Sequence, residues 1–455
     1  MTLDGVLNSA ASGLDSVSRR IATVSQNVAN AGTAGYVRET VAVTSVTASG
    51  DGMGVRTGVA ARSLDERLQA SALTASAAVV GEQTRSTALA SIDAASGTPG
   101  AGFDLPSLLG SLRDAFTALQ SDPANAAQQR IVTNRADALA RGVNALGQAV
   151  SGARQTAQDA AVADVGAVNN ALHAIGALSD QIIAATSRNE STADLEDQRD
   201  RSIRTLSDLT GARVLRQANG DALAVAGGLV LPLRVAAGPF ALGTATLAPN
   251  TPAAAVPQLS LDGVPVAGQP IGGRIGANLA LRDGTLPDLQ SGLDQFAQSM
   301  ASRFDLQGLT LFTDPVGAVP AAATAGFAQG VRVNAAVVAA PSMLRDGAGT
   351  PGAAGSTTLI NAVLDRVLGD GTGSLAVAAS ALVSKQSGLA ADAAGQLATG
   401  QAVQSSLDAK LAAGTGVSLD TETADLVRLQ NAYAANAKVI TAAQAMWTQL
   451  LDAVR

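Results

Sequence analysis

The chain has 455 residues, 30 lysines and arginines against 37 acids, and a net charge of −7. It contains no cysteine and one histidine, His173, so thiol nucleophiles, disulfides and cysteine-held zinc or iron–sulfur centres are excluded. Aromatics make up 2%, too few for stacking platforms, and there is no basic footprint for nucleic acid.

The length suits two or three domains, and much of the 47% hydrophobic content is alanine, which favours slender helices over a thick core. The longest uncharged stretch, Val235 to Leu261, is broken by Pro239, Pro249, Pro252 and Pro257, which would interrupt a membrane-spanning helix. No basic n-region followed by an apolar core opens the chain, so a cleaved signal peptide is not expected.

In chain order, the first predicted helix carries Leu3, Leu7, Ala10, Leu14, Val17, Ile21, Val24 and Val28 in alternating steps of four and three. Such a heptad stripe marks a helix seeking a partner along a narrow seam. The helix should end near Asn30, with Gly32 and Gly35 supplying the turn. A β-like stretch from Val37 to Val46 follows, then a glycine-rich link, Gly50 to Gly58. Helices are predicted over 63–95, 105–120, from Asp122-Pro123 to about 187, and over 192–209. The third of these would reach about 90–100 Å unless one of its glycines bends it.

Composition then shifts. Val214 to Val225 reads as a hairpin turning at Asn219-Gly220, and Ser260 to Val266 as another turning at Asp262-Gly263. Helix returns over 276–304, a loop-rich stretch runs from 308 to 357, and a helix over 376–413 leads to the last one. That last helix repeats the opening device: Leu419, Leu426, Tyr433, Ile440, Trp447 and Val454 stand seven apart, with Leu429, Ala443 and Leu450 beside them. Asn436 interrupts this second line, where it either fixes register or sits on a solvated face. The two ends, 1–35 and 417–455, are near neutral, as a packed bundle prefers.

The expectation is a mainly α fold with a small β insert: an elongated multi-domain rod whose N- and C-terminal helices pair in a coiled-coil domain. The terminal domain comprises 1–35 and 417–455, a helical body 36–205 and 274–416, and the β-rich outer insert 206–273.

Few residues invite chemistry. Asp197 with Arg201 and Asp200 with Arg204 are spaced as (i, i+4) ion pairs, leaving Leu195, Ile203, Leu206 and Leu209 for the buried side, so the charged run reads as structural. His173 lies among helix residues without a second ligand. No lysine is followed by Ser or Thr, which removes a phosphate-binding P-loop, and no Gly-x-Ser-x-Gly occurs. No catalytic residue, metal site or cofactor is expected.

The segment Asn27-Val-Ala-Asn-Ala-Gly-Thr-Ala-Gly-Tyr-Val-Arg38, behind a heptad helix with Ser12-Gly-Leu14 near its start, resembles the N-terminal signature of bacterial flagellar axial proteins. Asp425 to Ile440, preceded by Leu419-Asp420, resembles the matching C-terminal signature. The long helical span, with Leu195 to Leu209, Asn219-Gly220 and Arg274 to Asp283, is similar to the hook-associated protein 1 family. The chain departs at Arg303-Phe-Asp-Leu-Gln-Gly308, where members often carry Asn and His before the glycine, and its β insert is short for the family.

The resemblance implies a non-enzymatic hook–filament junction component, forming a ring of identical subunits at the distal end of the hook. Its implied partners are hook protein, hook-associated protein 3, the export apparatus and an export chaperone on the C-terminal helix, with neither nucleic acid nor membrane. It implies secretion to the flagellum without a cleaved signal. A distal rod or hook subunit of the same superfamily, or a coiled-coil scaffold unrelated to flagella, are the alternatives. The heptad residues form the expected assembly seam. Asn27, Asn30, Gly35 and Tyr36 are either an intersubunit contact or a helix cap and turn; capping accounts for the glycine and Asn30 but not for Tyr36.

Overall fold

The computed structural model describes residues 3–33, 35–48, 51–97, 100, 102–234, 238–266, 268–347, 349, 352–371 and 373–453. Val454 lies outside them, as do the side chains of Leu3 and Leu450. The fold is mainly helical with small antiparallel sheets, and its long terminal helices pack together. Contacts divide it into two compact units, one of 1–78, 167–239 and 401–455, the other of 79–166 and 240–400.

The first unit begins with α1 (Leu3–Asn30), which stops where Thr33 N–H donates to Asn30 O at 2.8 Å and Gly35 adopts φ +80°. Strands β1 (Glu39–Ala48) and β2 (Asp51–Arg62) form a hairpin in register from Glu39 opposite Arg62 to Ala48 opposite Asp51. The region expected as a glycine-rich link is thus, from position 51 on, strand. One of its glycines serves close packing: at Gly54, φ +108°, a Cβ would collide with the Ser12 hydroxyl of α1. The same hydroxyl accepts from Val55 N–H at 3.1 Å and donates to Ser9 O at 2.9 Å.

Helices α2 (Glu66–Ser96) and α4 (Ala126–Ser187) give residues to both units. The latter is one unbroken 62-residue helix despite its glycines, and it starts after an Asn125 cap that accepts from Ala127 and Gln128 N–H. Asp122-Pro123 forms the preceding turn rather than the helix start. Helix α5 (Ala193–Thr210) ends on Gly211, left-handed at φ +68°. Strands β3 (Arg213–Arg216), β4 (Ala222–Ala226) and β5 (Leu229–Leu231) make an antiparallel sheet in that order, the first hairpin turning at Asn219-Gly220 as expected.

The second unit holds a separate sheet, β6 (Phe240–Ala241), β7 (Ser260–Leu261) and β8 (Val264–Pro265), whose tip Asp262-Gly263 takes positive φ at both residues. The strands expected across 206–273 therefore fall into two sheets. Helix α6 (Gly273–Ala280) continues through a π-turn (Leu281–Thr285) into α7 (Leu286–Asp305), and the unit's main core joins α3 (Leu105–Ser121), the start of α4, α7 from Leu293 on, and the chain beyond. Phe116, Phe304 and Phe312 stack at its centre, with ring centroids 6.2 and 5.4 Å apart.

The stretch expected to be loop-rich contributes to this core. It folds as β9 (Phe312–Thr313), α8 (Phe327–Gly330), β10 (Arg332–Val333), α9 (Ala335–Ala339) and α10 (Met343–Asp346), burying Phe327, Val331, Val337 and Leu344. The buried Asp294 carboxylate ties it down, accepting from Gly326 and Ala328 N–H at 2.9 Å each. Helix α11 (Thr358–Arg366), not predicted, joins the same core, and α12 (Leu375–Thr415) leads to α13 (Leu419–Ala453).

Candidate functional site

The terminal helices run antiparallel, since Asn27 of α1 bonds Glu422 near the start of α13 while Gly13 faces Asn436 further along it. Each heptad helix carries two lines of residues seven apart, and one of each turns inward. On α1 this is Ala10, Val17 and Val24, all buried; Leu7, Leu14 and Ile21 are half-buried and Val28 is exposed. On α13 the inward line is Glu422, Leu429, Asn436 and Ala443, seven apart, with Leu426 and Ile440 half-buried beside it. Leu419, Tyr433 and Trp447 remain 52%, 41% and 47% exposed. Asn436 is therefore a seam residue: a Cβ on Gly13 would sit 3.2 Å from its Oδ1, so glycine there gives the amide its place.

The seam's polar end is a knot of Asn27, Tyr36, Arg38, Glu39 and Glu422. Asn27 is buried, its Nδ2 donating to Glu39 O at 2.9 Å and Glu422 Oε2 at 3.2 Å, its Oδ1 accepting from Tyr36 O–H and Glu39 N–H, each at 2.9 Å. Glu422 has no solvent exposure, and its other oxygen takes Arg38 Nε at 2.5 Å; Arg38 also lies 3.7 Å from Asp425. A fully bonded network of this kind specifies one arrangement, because any shift strands a buried charge. Asn30, by contrast, makes local bonds to Gln26 O at 3.1 Å and from Thr33 O–H at 3.3 Å, and Gly35 supplies the left-handed turn. Thus Asn27 and Tyr36 share one network while Asn30 and Gly35 shape the bend before it.

The charged run of α5 adjoins this knot, though not as sequence spacing suggests. Asp197 pairs with Arg62 of β2 at 2.8 Å, Arg62 reaches Glu196 at 3.3 Å and Asp200 as well, and Asp200 also takes Arg216 of β3 at 2.6 Å. The expected (i, i+4) partners Arg201 and Arg204 are exposed, so long-range partners replace them, and the buried side carries Asp197 and Arg199 with Ile203, Leu206 and Leu209. Leu195 is only half-buried. Val37 N–H donates to Asp197 Oδ2 at 3.3 Å, linking α5 to the N-terminal loop. Burial lifts the Asp197 carboxyl to about 6 against the pull of Arg62, and burial with Asp194 and Asp197 nearby raises Glu39. Burial also raises the Tyr36 hydroxyl, which stays a neutral donor to Asn27.

His173 is exposed on α4. Among the described residues no group of three or more His, Cys, Asp or Glu is placed to hold a metal ion, and no helix is long and apolar enough to cross a membrane.

Two family models match the chain. Residues 89–313 match the helical domain of flagellar hook-associated protein FlgK, and residues 412–453 match the C-terminal domain of the flagellar basal body rod FlgEFG proteins. Among solved structures, the flagellar hook junction protein FlgK from Burkholderia pseudomallei is similar at 26% identity, over 57% of this chain and 46% of that one, with a TM-score of 0.43. The match thus spans less than half of that protein's length. No curated protein matches.

Proposed function

The chain belongs to the FlgK family of flagellar hook-associated proteins, and from that membership we propose that it is a structural adaptor at the junction between hook and filament. It performs no chemistry; its action is geometric. Copies form a ring at the distal end of the hook, contacting hook protein below and hook-associated protein 3 above, after passage through the flagellar export apparatus without cleavage of a signal and with a chaperone on α13. The terminal segments 1–35 and 417–455 join the axial core as a coiled coil with neighbouring copies.

The observation that carries this reading is the division of α13 into an inward line and a second, apolar one. One is consumed by α1 within the chain; the other leaves Leu419, Tyr433 and the only tryptophan, Trp447, half exposed. Large apolar groups aligned on one helix and left in water mark a surface kept for a partner. A distal rod or hook subunit would carry the same C-terminal segment, but the match over 89–313 to a hook-associated helical domain favours the junction.

The test compares two substitutions on one helix. Leu429→Ala should lower the melting temperature of the purified chain, because it empties a buried site worth about 2–3 kcal/mol. Trp447→Ala should leave the isolated chain within about 0.5 kcal/mol of the parent yet yield cells whose hooks bear no filaments. Filament-bearing flagella in a gene deletion, or labelled protein found along the rod instead of at hook tips, would end the reading.

A further inference from the structure

Strand β3 forms an edge of the three-stranded sheet β3–β4–β5 that, among the described residues, no other strand takes. Gln217 N–H donates to Asp221 O at 2.9 Å, so the alternation of an antiparallel ladder makes Leu215 with Leu223, and Arg213 with Val225, the hydrogen-bonded pairs. The backbone groups of Val214 and Arg216 therefore point away from β4, and among the described residues no other backbone group bonds them. Beside this edge a groove of about 430 Å³ separates β3 from α2. Every residue from Ala212 to Arg216 lines it, which alternation allows for a cleft along a strand's edge but not for one over a single face. Leu73, Ile203 and Val214 supply apolar walls, and Leu215 is 58% exposed at the lip.

Charge selects the occupant. Arg216, lining the groove, is already held by two carboxylates, Asp200 at 2.6 Å and the groove's own Glu66 at 3.3 Å. Arg67 and Arg213 are exposed at its rim, and among the described residues neither forms an ion pair. The groove thus presents two cations that form no ion pair among the described residues, free backbone donors and acceptors, and apolar walls within a chain whose net charge is −7. We propose that an extended acidic segment of another protein docks here as a fourth strand against β3. Its backbone pairs with Val214 and Arg216, its carboxylates meet Arg67 and Arg213, and its apolar side chains enter the groove.

The probe is a capped, fluorescent peptide of alternating glutamate and valine, titrated into the full chain by anisotropy, with a lysine–valine peptide as counterpart. The acidic peptide should bind saturably and weaken with added salt. The double variant Arg67→Glu/Arg213→Glu, both surface changes, should weaken it about tenfold and reverse the preference between the two peptides. Val214→Pro, which removes one edge N–H without touching the ladder to β4, should weaken the acidic peptide while circular dichroism stays unchanged. Absence of saturable binding, equal binding of both peptides, or indifference to the double variant would overturn the proposal. So would concentration-dependent self-association of the chain abolished by Arg213→Glu, which would assign the groove to a second copy.

Discussion

Asp197 shows how a single residue can be legible in kind yet not in partner. Its place in an acidic and basic run marks it as an ion-pair former, but its partner, Arg62, stands on β2 and not on its own helix. Spacing reports only neighbours along one helix, and the desolvated pair that forms across elements has no local signature. Burial then gives the residue a measurable consequence. An unfolded aspartate titrates near 3.8 and the folded Asp197 near 6, so folding takes up a proton between those values and stability falls as pH rises through about 6. Glu39, also raised, adds in the same direction. The urea midpoint of the chain should therefore be higher at pH 5 than at pH 7.5, and Asp197→Asn should flatten that slope; an unaltered slope would assign the effect elsewhere.

At the scale of elements, the long helices were readable because amphipathic periodicity is a property of the segment itself. The hairpin's second strand was not. Gly52, Gly54 and Gly58 read as linker composition, whereas the structure uses Gly54 to bring β2 against α1. The need for a missing side chain is visible only once the opposing surface is known. Gly54→Ala meets two obstacles, a backbone at φ +108° and the Ser12 hydroxyl, and should cost about 1–3 kcal/mol. The loss should be read as faster amide exchange across β1 and β2 with α4 unaffected; equal exchange in variant and parent would mean that the contact is dispensable. The stretch 308–357 hides its elements for a related reason: its helices of four or five residues are too short to display a period, and the first of them is anchored by Asp294 from a distant helix.

For the whole molecule, the two terminal stripes announced that the ends seek partners, but which line faces inward depends on the meeting of helices almost the full chain apart. The buried apolar cluster between them contains Val17, Val24 and Leu429, against the extensive core around Phe116, Phe304 and Phe312 in the second unit. Opening free energy follows buried apolar contact, so amides of α1 and α13 should exchange well before those of α3. Equal protection of all three in a demonstrated monomer would contradict this ranking.

The bond between Asn27 and Glu422 closes a loop of 395 positions. Contacts of such separation carry the loop-closure cost that local helix and hairpin contacts avoid, so in folding it follows them. It also acts as a check on completeness: a chain stopped anywhere short of position 422 leaves the Asn27 amide and the Arg38 guanidinium without their carboxylate, and α1 without its antiparallel mate. Only a polypeptide that extends into α13 can fasten this clasp, so the beginning of the chain acquires its final structure only when that helix arrives.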